Sequence, residues 1–159
     1  MLALIRKPGP ERSKKYAAIA EMPLFYTDAS ALMKMARKEE ESAALRAFLG
    51  DADVIGSELL LTELPRAARR IAATDSESQL EPLLERTYEV LEKVALQPLE
   101  SHLLIGAGAL TEPALRALDA IHVISAVAAR PIDAFVTYDK RQAAVARLAG
   151  FRTLAPGAD

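Results

Sequence analysis

Short apolar runs alternate along this chain with longer stretches whose apolar residues recur every three or four positions, the signature of buried strands between amphipathic helices. Residues 24–27 form the first run and close on Asp28, and a helical pattern follows from Ala29 to about Arg37. A second helix is predicted over 42–49, with Gly50 as its C-cap. Val54-Ile55-Gly56 reads as a weak strand. Ser57 is then the expected N-cap of a helix carrying Leu59, Leu60, Leu64, Ala67, Ala68 and Ile71 on its apolar side. The period continues over 76–94, through Leu80, Leu83, Leu84, Tyr88 and Leu91. A strand is expected at 96–99, interrupted by Pro98, and helices at about 101–110 and 114–129. A strand at 134–137, a helix at 140–148 ending at Gly150, and a last strand at 152–154 complete the series. Strands separated by helices predict an α/β domain with a mainly parallel sheet, whose site lies at the carboxyl ends of the strands.

Composition narrows the chemistry. With 159 residues the chain is expected to form one domain, and it has no cysteine, which removes disulfides, thiolate metal sites and a cysteine nucleophile. Two histidines, His102 and His122, are too few for a typical zinc site, so any metal would be oxygen-bound. Residues 1–21 are basic, contain Pro8-Gly9-Pro10 and lack a clear period, and they read as a disordered extension. Met22-Pro23-Leu24 opens directly onto the first strand, so Met22 is an alternative start. Without that segment, 15 basic residues face 20 acidic ones, and a net −5 domain is a poor non-specific nucleic-acid binder. No apolar stretch approaches a membrane span, and the expected setting is cytoplasmic.

Four carboxylates stand beside apolar runs, where charge is costly unless compensated: Asp28, Glu63, Asp119 and Asp139. Asp28 and Asp139 each precede a helix, where an aspartate is also a good N-cap. Glu63 and Asp119 fall within helical patterns close to leucine, where a carboxylate is costly unless paired or metal-bound, although the margin of such a stripe can also be wet. Pro65, two residues after Glu63, should kink or restart that helix and could displace Glu63. His122, one turn after Asp119, suits a histidine held by internal hydrogen bonds or a phosphate contact. Arg116, Lys140 and Arg141 flank the acids and could meet phosphate or only water, as could Arg66, Arg69 and Arg70.

Taken together, Tyr26-Thr27-Asp28-Ala29-Ser30-Ala31-Leu32, Leu61-Thr62-Glu63-Leu64, Leu115-Arg116-Ala117-Leu118-Asp119-Ala120-Ile121-His122 and Phe135-Val136-Thr137-Tyr138-Asp139-Lys140-Arg141 make the chain resemble the PIN-domain family. The resemblance is to the ribonuclease toxins of bacterial VapBC toxin–antitoxin modules, and it covers about residues 22–157. It implies a three-layer α/β/α domain in which Asp28, Glu63, Asp119 and Asp139 converge on Mg²⁺ or Mn²⁺, with Ser30 and Thr137 as nearby hydroxyls. It further implies hydrolysis of RNA, tRNA or rRNA, to a 5′-phosphate and a 3′-hydroxyl. A VapB-type antitoxin is the implied inhibitor, with Leu32, Met33, Met35, Leu45 and Phe48 as candidate wall residues, and a homodimer is implied as well. The alternative is a catalytically weak PIN-like module that binds RNA or protein. A receiver or haloacid dehalogenase domain fits poorly, because the first needs a further acidic pair and the second an aspartate where Ser30 stands.

Overall fold

The computed structural model of the chain describes residues 22–113 and 115–158. The basic extension expected at 1–21 lies outside them. Five strands, β1 (Leu24–Thr27), β2 (Asp53–Ser57), β3 (Ala95–Gln97), β4 (Ala134–Val136) and β5 (Thr153–Leu154), form one sheet in the order β3-β2-β1-β4-β5. Every pairing is parallel. Among the described residues seven helices connect them: α1 (Ala29–Ala36), α2 (Ser42–Leu49), α3 (Leu60–Thr74), α4 (Leu80–Leu91), α5 (Ser101–Gly108), α6 (Ala117–Ala128) and α7 (Lys140–Leu148).

Alternation along the central strands sorts the helices into two outer layers, because successive side chains leave opposite faces of a sheet. Phe25 of β1 and Ala134 and Val136 of β4 pack with Ala31, Leu45 and Leu49 of α1 and α2. Tyr26 and Phe135, one residue out of phase, pack on the other face with Ala126 of α6, Ala146 of α7 and Phe151. The alanines at these contacts let both helices lie close against two large rings. A further cluster joins Leu32, Met33 and Ala36 of α1 to Leu60, Leu64 and Ala68 of α3 and Leu83 and Leu91 of α4. The architecture is the expected three-layer α/β/α arrangement.

Several local expectations are corrected. Ser57 does not cap α3: β2 runs through it, and its Oγ instead accepts the N–H of Leu59 at 3.2 Å, before the helix starts at Leu60. Pro65 lies inside α3 without restarting it. The carbonyl of Leu61, which loses its helical partner to the proline, belongs to an exposed residue where water can serve it. The helix expected over 76–94 is shorter, and Tyr88 is exposed although it falls on the predicted apolar side. Residues 98 and 99 drop out of β3, consistent with a proline that has no ladder donor. Gly50 does close α2, with φ at +46°. Gly56 serves a different purpose. A Cβ there would stand 2.3 Å from Leu60 Cδ1 and 3.1 Å from the Thr27 carbonyl, so the bare backbone lets α3 seat directly on the sheet.

Chain order places the crevice. From β1 the chain moves outward to β2 and β3, then crosses to β4 and β5 on the opposite side. The reversal lies between β1 and β4, the switch point at which ligand sites of open parallel sheets occur. Asp28 follows β1 directly, and Thr137 follows β4 directly.

Candidate metal and RNA site

Asp28 is an N-cap and more. Its Oδ1 accepts the N–H of Ala31 at 3.1 Å, which caps α1, and also the hydroxyl of Ser30 at 2.6 Å. Its Oδ2 accepts the hydroxyl of Thr137 at 2.5 Å, from across the switch point. Asp28 is only 5% exposed, and burial raises its carboxyl above the usual carboxylate range. The imidazole of His122 and the Ser30, Thr137 and Ala31 donors pull the other way.

Thr137 joins two of the acids. The oxygen that donates to Asp28 also accepts the N–H of Asp139 at 3.1 Å. Asp139 in turn caps α7, with Oδ1 accepting from the N–H groups of Arg141 at 2.8 Å and Gln142 at 3.2 Å. Between them, Tyr138 is tied at both ends. Its N–H donates to Ser30 Oγ at 2.9 Å, and its hydroxyl donates to the Pro156 carbonyl at 2.7 Å. The ammonium of Lys34 sits 4.8 Å over its ring. Replacing Thr137 by valine keeps the shape and removes the shared oxygen, leaving a buried carboxylate oxygen and an amide without that partner. The expected cost is about 1–3 kcal/mol in urea unfolding, largely recovered in Thr137→Ser; a valine variant as stable as wild type would show that the hydroxyl bridge is dispensable.

Asp119 enters from the first turn of α6. Burial raises its carboxyl above the ordinary range, and the negative charge of Asp139 adds to the effect. The Arg116 N–H and the Arg141 and Arg116 charges oppose it. Its Oδ2 is buried with no hydrogen-bond partner. The side-chain amide of Gln142, itself buried, donates to the Asp119 carbonyl at 3.2 Å and fastens α7 to α6.

Glu63 comes from the first turn of α3 and is half-buried. Its Oε2 lies 2.7 Å from His122 Nε2, and the other ring nitrogen of His122 lies 2.9 Å from the Tyr26 hydroxyl. His122 is buried and satisfied internally, the blander of its two expected roles. Arg116 stands at the start of α6, and Lys140 and Arg141 at the start of α7, all exposed.

Hydrogen bonds thus unite Asp28, Ser30, Thr137 and Asp139, electrostatics couples Asp119 to Asp139, and Glu63 is reached through His122. Even so, among the described residues no three carboxylate or imidazole groups close on a single point as they stand. The donor chemistry does fit a hard divalent cation. All the candidate ligands are carboxylate oxygens, one of them buried and unpaired, beside mutually repelling charges that a cation would relieve.

Tyr26 and Gln142 carry contacts that motif reading passed over. Gln142 was legible in part, because an aspartate followed three residues later by glutamine is a capping-box spacing. Its side chain turns to Asp119 instead of back to the cap. Of the expected wall residues, Leu32, Met33 and Leu45 are core, Met35 is half-buried and Phe48 is exposed. No described helix is long and apolar enough to cross a membrane.

Comparison with known proteins agrees with this fold. Residues 25–148 match the PIN domain family. The chain is 34% identical over 140 residues to ribonuclease VapC35 of Mycobacterium tuberculosis (strains CDC 1551 / Oshkosh and ATCC 25618 / H37Rv), covering 84% of this chain and 98% of that protein. It is 33% identical over 138 residues to ribonuclease VapC47 of the CDC 1551 / Oshkosh strain, covering 85% of this chain and 98% of that one. With Asp28 and Thr137 at the β1/β4 switch point of a parallel sheet and these relatives matched over nearly their whole lengths, the chain belongs to the PIN-domain family and is a toxin of the VapC type.

Proposed function

We propose that the chain is an endoribonuclease dependent on Mg²⁺ or Mn²⁺, acting on tRNA or rRNA at Asp28, Glu63, Asp119 and Asp139 and neutralised by a VapB-type antitoxin. The observation that carries this reading is the buried, partnerless Oδ2 of Asp119 in a cluster where Asp28 is also buried and Asp139 repels it. A folded protein keeps such an arrangement when a cation compensates it. The relatives named ribonucleases support RNA as the substrate.

When bound, Mg²⁺ or Mn²⁺ supplies a nucleophilic water at neutral pH and compensates the charge that builds on the phosphate. The chain's own residues do the rest. Ser30, Thr137 and the Ala31 N–H hold the Asp28 carboxylate in one orientation. Arg116, Lys140 and Arg141, exposed at the starts of α6 and α7 in an otherwise acidic domain, are proposed to meet the phosphate backbone. Residues 22–157 are proposed as the functional domain, and a homodimer is proposed on family likeness alone.

A second reading, a catalytically weak module that binds RNA or protein, is favoured by one observation: as they stand, no three acidic or imidazole groups among the described residues converge. Incubating antitoxin-free protein with pooled tRNA and rRNA, in Mg²⁺, Mn²⁺ or EDTA, separates the two. The nuclease reading expects discrete fragments that need metal and fall about 100- to 1000-fold in Asp119→Asn. Silence in every metal, together with no Mn²⁺ binding by calorimetry, gives the module reading instead.

A further inference from the structure

Glu63 lies outside the hydrogen-bonded group of Asp28, Ser30, Thr137 and Asp139, and it is carried on a helix with a proline two residues later. What holds it is a short chain of buried side chains. Tyr26 of β1 is fully buried, His122 is 3% exposed, and the sequence of contacts runs from the Tyr26 hydroxyl to His122 Nδ1 at 2.9 Å, then from Nε2 to Glu63 Oε2 at 2.7 Å.

We propose that Tyr26 and His122 are a positioning pair for Glu63, in which the tyrosine hydroxyl selects the Nε2–H tautomer of His122 and that N–H aims the glutamate carboxylate into the site. This rests on the metal-site reading above for its purpose, though not for its geometry.

The directions of the bonds follow from the donor inventory. An ionised carboxylate only accepts, so the nitrogen facing Glu63 carries the hydrogen. With a single proton on the ring, as the pair requires, the other nitrogen is an acceptor and the phenol donates to it. Each group thereby satisfies the next, which is what a buried polar chain requires. The three members come from three different elements, β1, α6 and α3. Tyr26 itself is fully buried and packs on Phe135, with ring centroids 4.8 Å apart, which restricts the far end of the chain. A carboxylate on a helix surface has several rotamers; the contact with buried His122 favours one of them. The hydrogen bonds of His122 run to Tyr26 and Glu63, while its influence on Asp28 is electrostatic.

Two readouts test the pair. The first is nitrogen NMR of the metal-free protein. The only other histidine, His102, is exposed and easily told apart by its substitution. Wild-type His122 should show a protonated Nε2 and a bare Nδ1, and Tyr26→Phe should turn this into a mixture of tautomers. The second is Mn²⁺ affinity by calorimetry, set beside the thermal midpoint of each variant. Glutamine at position 122 places an amide N–H near the position of the lost Nε2–H, whereas asparagine reaches only the side facing Tyr26. His122→Asn should therefore weaken Mn²⁺ binding about 10- to 100-fold, the range for partners that orient a ligand, and His122→Gln should restore most of it.

A protonated Nδ1 in the wild type, or both nitrogens protonated, overturns the pair. So does equal Mn²⁺ affinity in wild type and His122→Asn, or a parallel fall of affinity and thermal midpoint in both substitutions. If the wild type binds no Mn²⁺ at all, the metal-site reading fails, and the tautomer measurement in wild type and Tyr26→Phe still decides whether the pair exists.

Discussion

Asp28→Asn should give a protein that has lost about 100- to 1000-fold in RNA cleavage, the equivalent of about 3–4 kcal/mol of transition-state stabilisation, and that is more stable than wild type when metal is absent. Both effects have one cause. Burial lifts the Asp28 carboxyl above the value it has in an unfolded chain. The folded state therefore holds that proton more tightly, and stability falls as pH rises through the unfolded value near about 4. Above the raised folded value the full deficit is present, so it burdens the metal-free protein at neutral pH. Asparagine removes the charge and keeps the geometry. Its Oδ1 can still accept from the Ala31 N–H and Ser30, and its amide can donate to the Thr137 oxygen, which turns from donor to acceptor. Asparagine is as good an N-cap as aspartate.

The gain should appear as a rise of a few degrees in the EDTA melting midpoint at pH 7, shrinking as the pH is lowered toward 4 and the wild-type carboxylate is neutralised. Added Mn²⁺ should reverse the order. At a hundred times its dissociation constant it stabilises wild type by about 2.7 kcal/mol and the variant by far less. A less stable variant in EDTA would mean that hydrogen bonds already compensate the Asp28 charge, removing the strongest physical reason for a cation there.

Phe135→Ala is expected to be the most damaging substitution on the α6/α7 face. Phe135 is fully buried on the middle residue of β4, with ring centroids 4.8 Å from Tyr26 and 6.1 Å from Phe151. Truncating it removes transfer energy and leaves a cavity walled by Ala126 and Ala146, which are too small to collapse into it. The cost should be about 3–5 kcal/mol, a large part of the roughly 5–15 kcal/mol that holds a domain folded. Phe135→Leu should cost much less. The damage should also reach the site, because Phe135 braces Tyr26 on one side and leads through Val136 to Thr137 on the other. Urea unfolding measures the first effect. A loss under about 1 kcal/mol would mean that this face is not packed as a core.

How much of this was legible beforehand depends on the range of the interaction concerned. The helix over Ser42–Leu49 and the helix over Lys140–Leu148 have the bounds that periodicity assigns them, and both end near glycines of positive φ. Periodicity and caps are written within a dozen residues. Asp28 and Asp139 were legible as caps for the same reason, and they are caps. Ser57 was misread because a serine before a helical pattern can end a strand equally well, and only sheet pairing with β3 decides which. The effect of Pro65 was overstated, since a proline near a helix start breaks a bond that an exposed turn can leave to water.

The strand-helix alternation, the acids and their order were set by local pattern and composition, and those suffice for the fold class and the family resemblance. Only the tertiary structure decided that Thr137 would carry a hydrogen bond to an aspartate 109 positions away, that Asp119 would keep a bare buried oxygen, and that Tyr26 and His122 would line up behind Glu63. These are contacts between elements, and their energies exist only once the parallel sheet has brought β1 and β4 side by side and the alanines of α6 and α7 have let those helices close upon it.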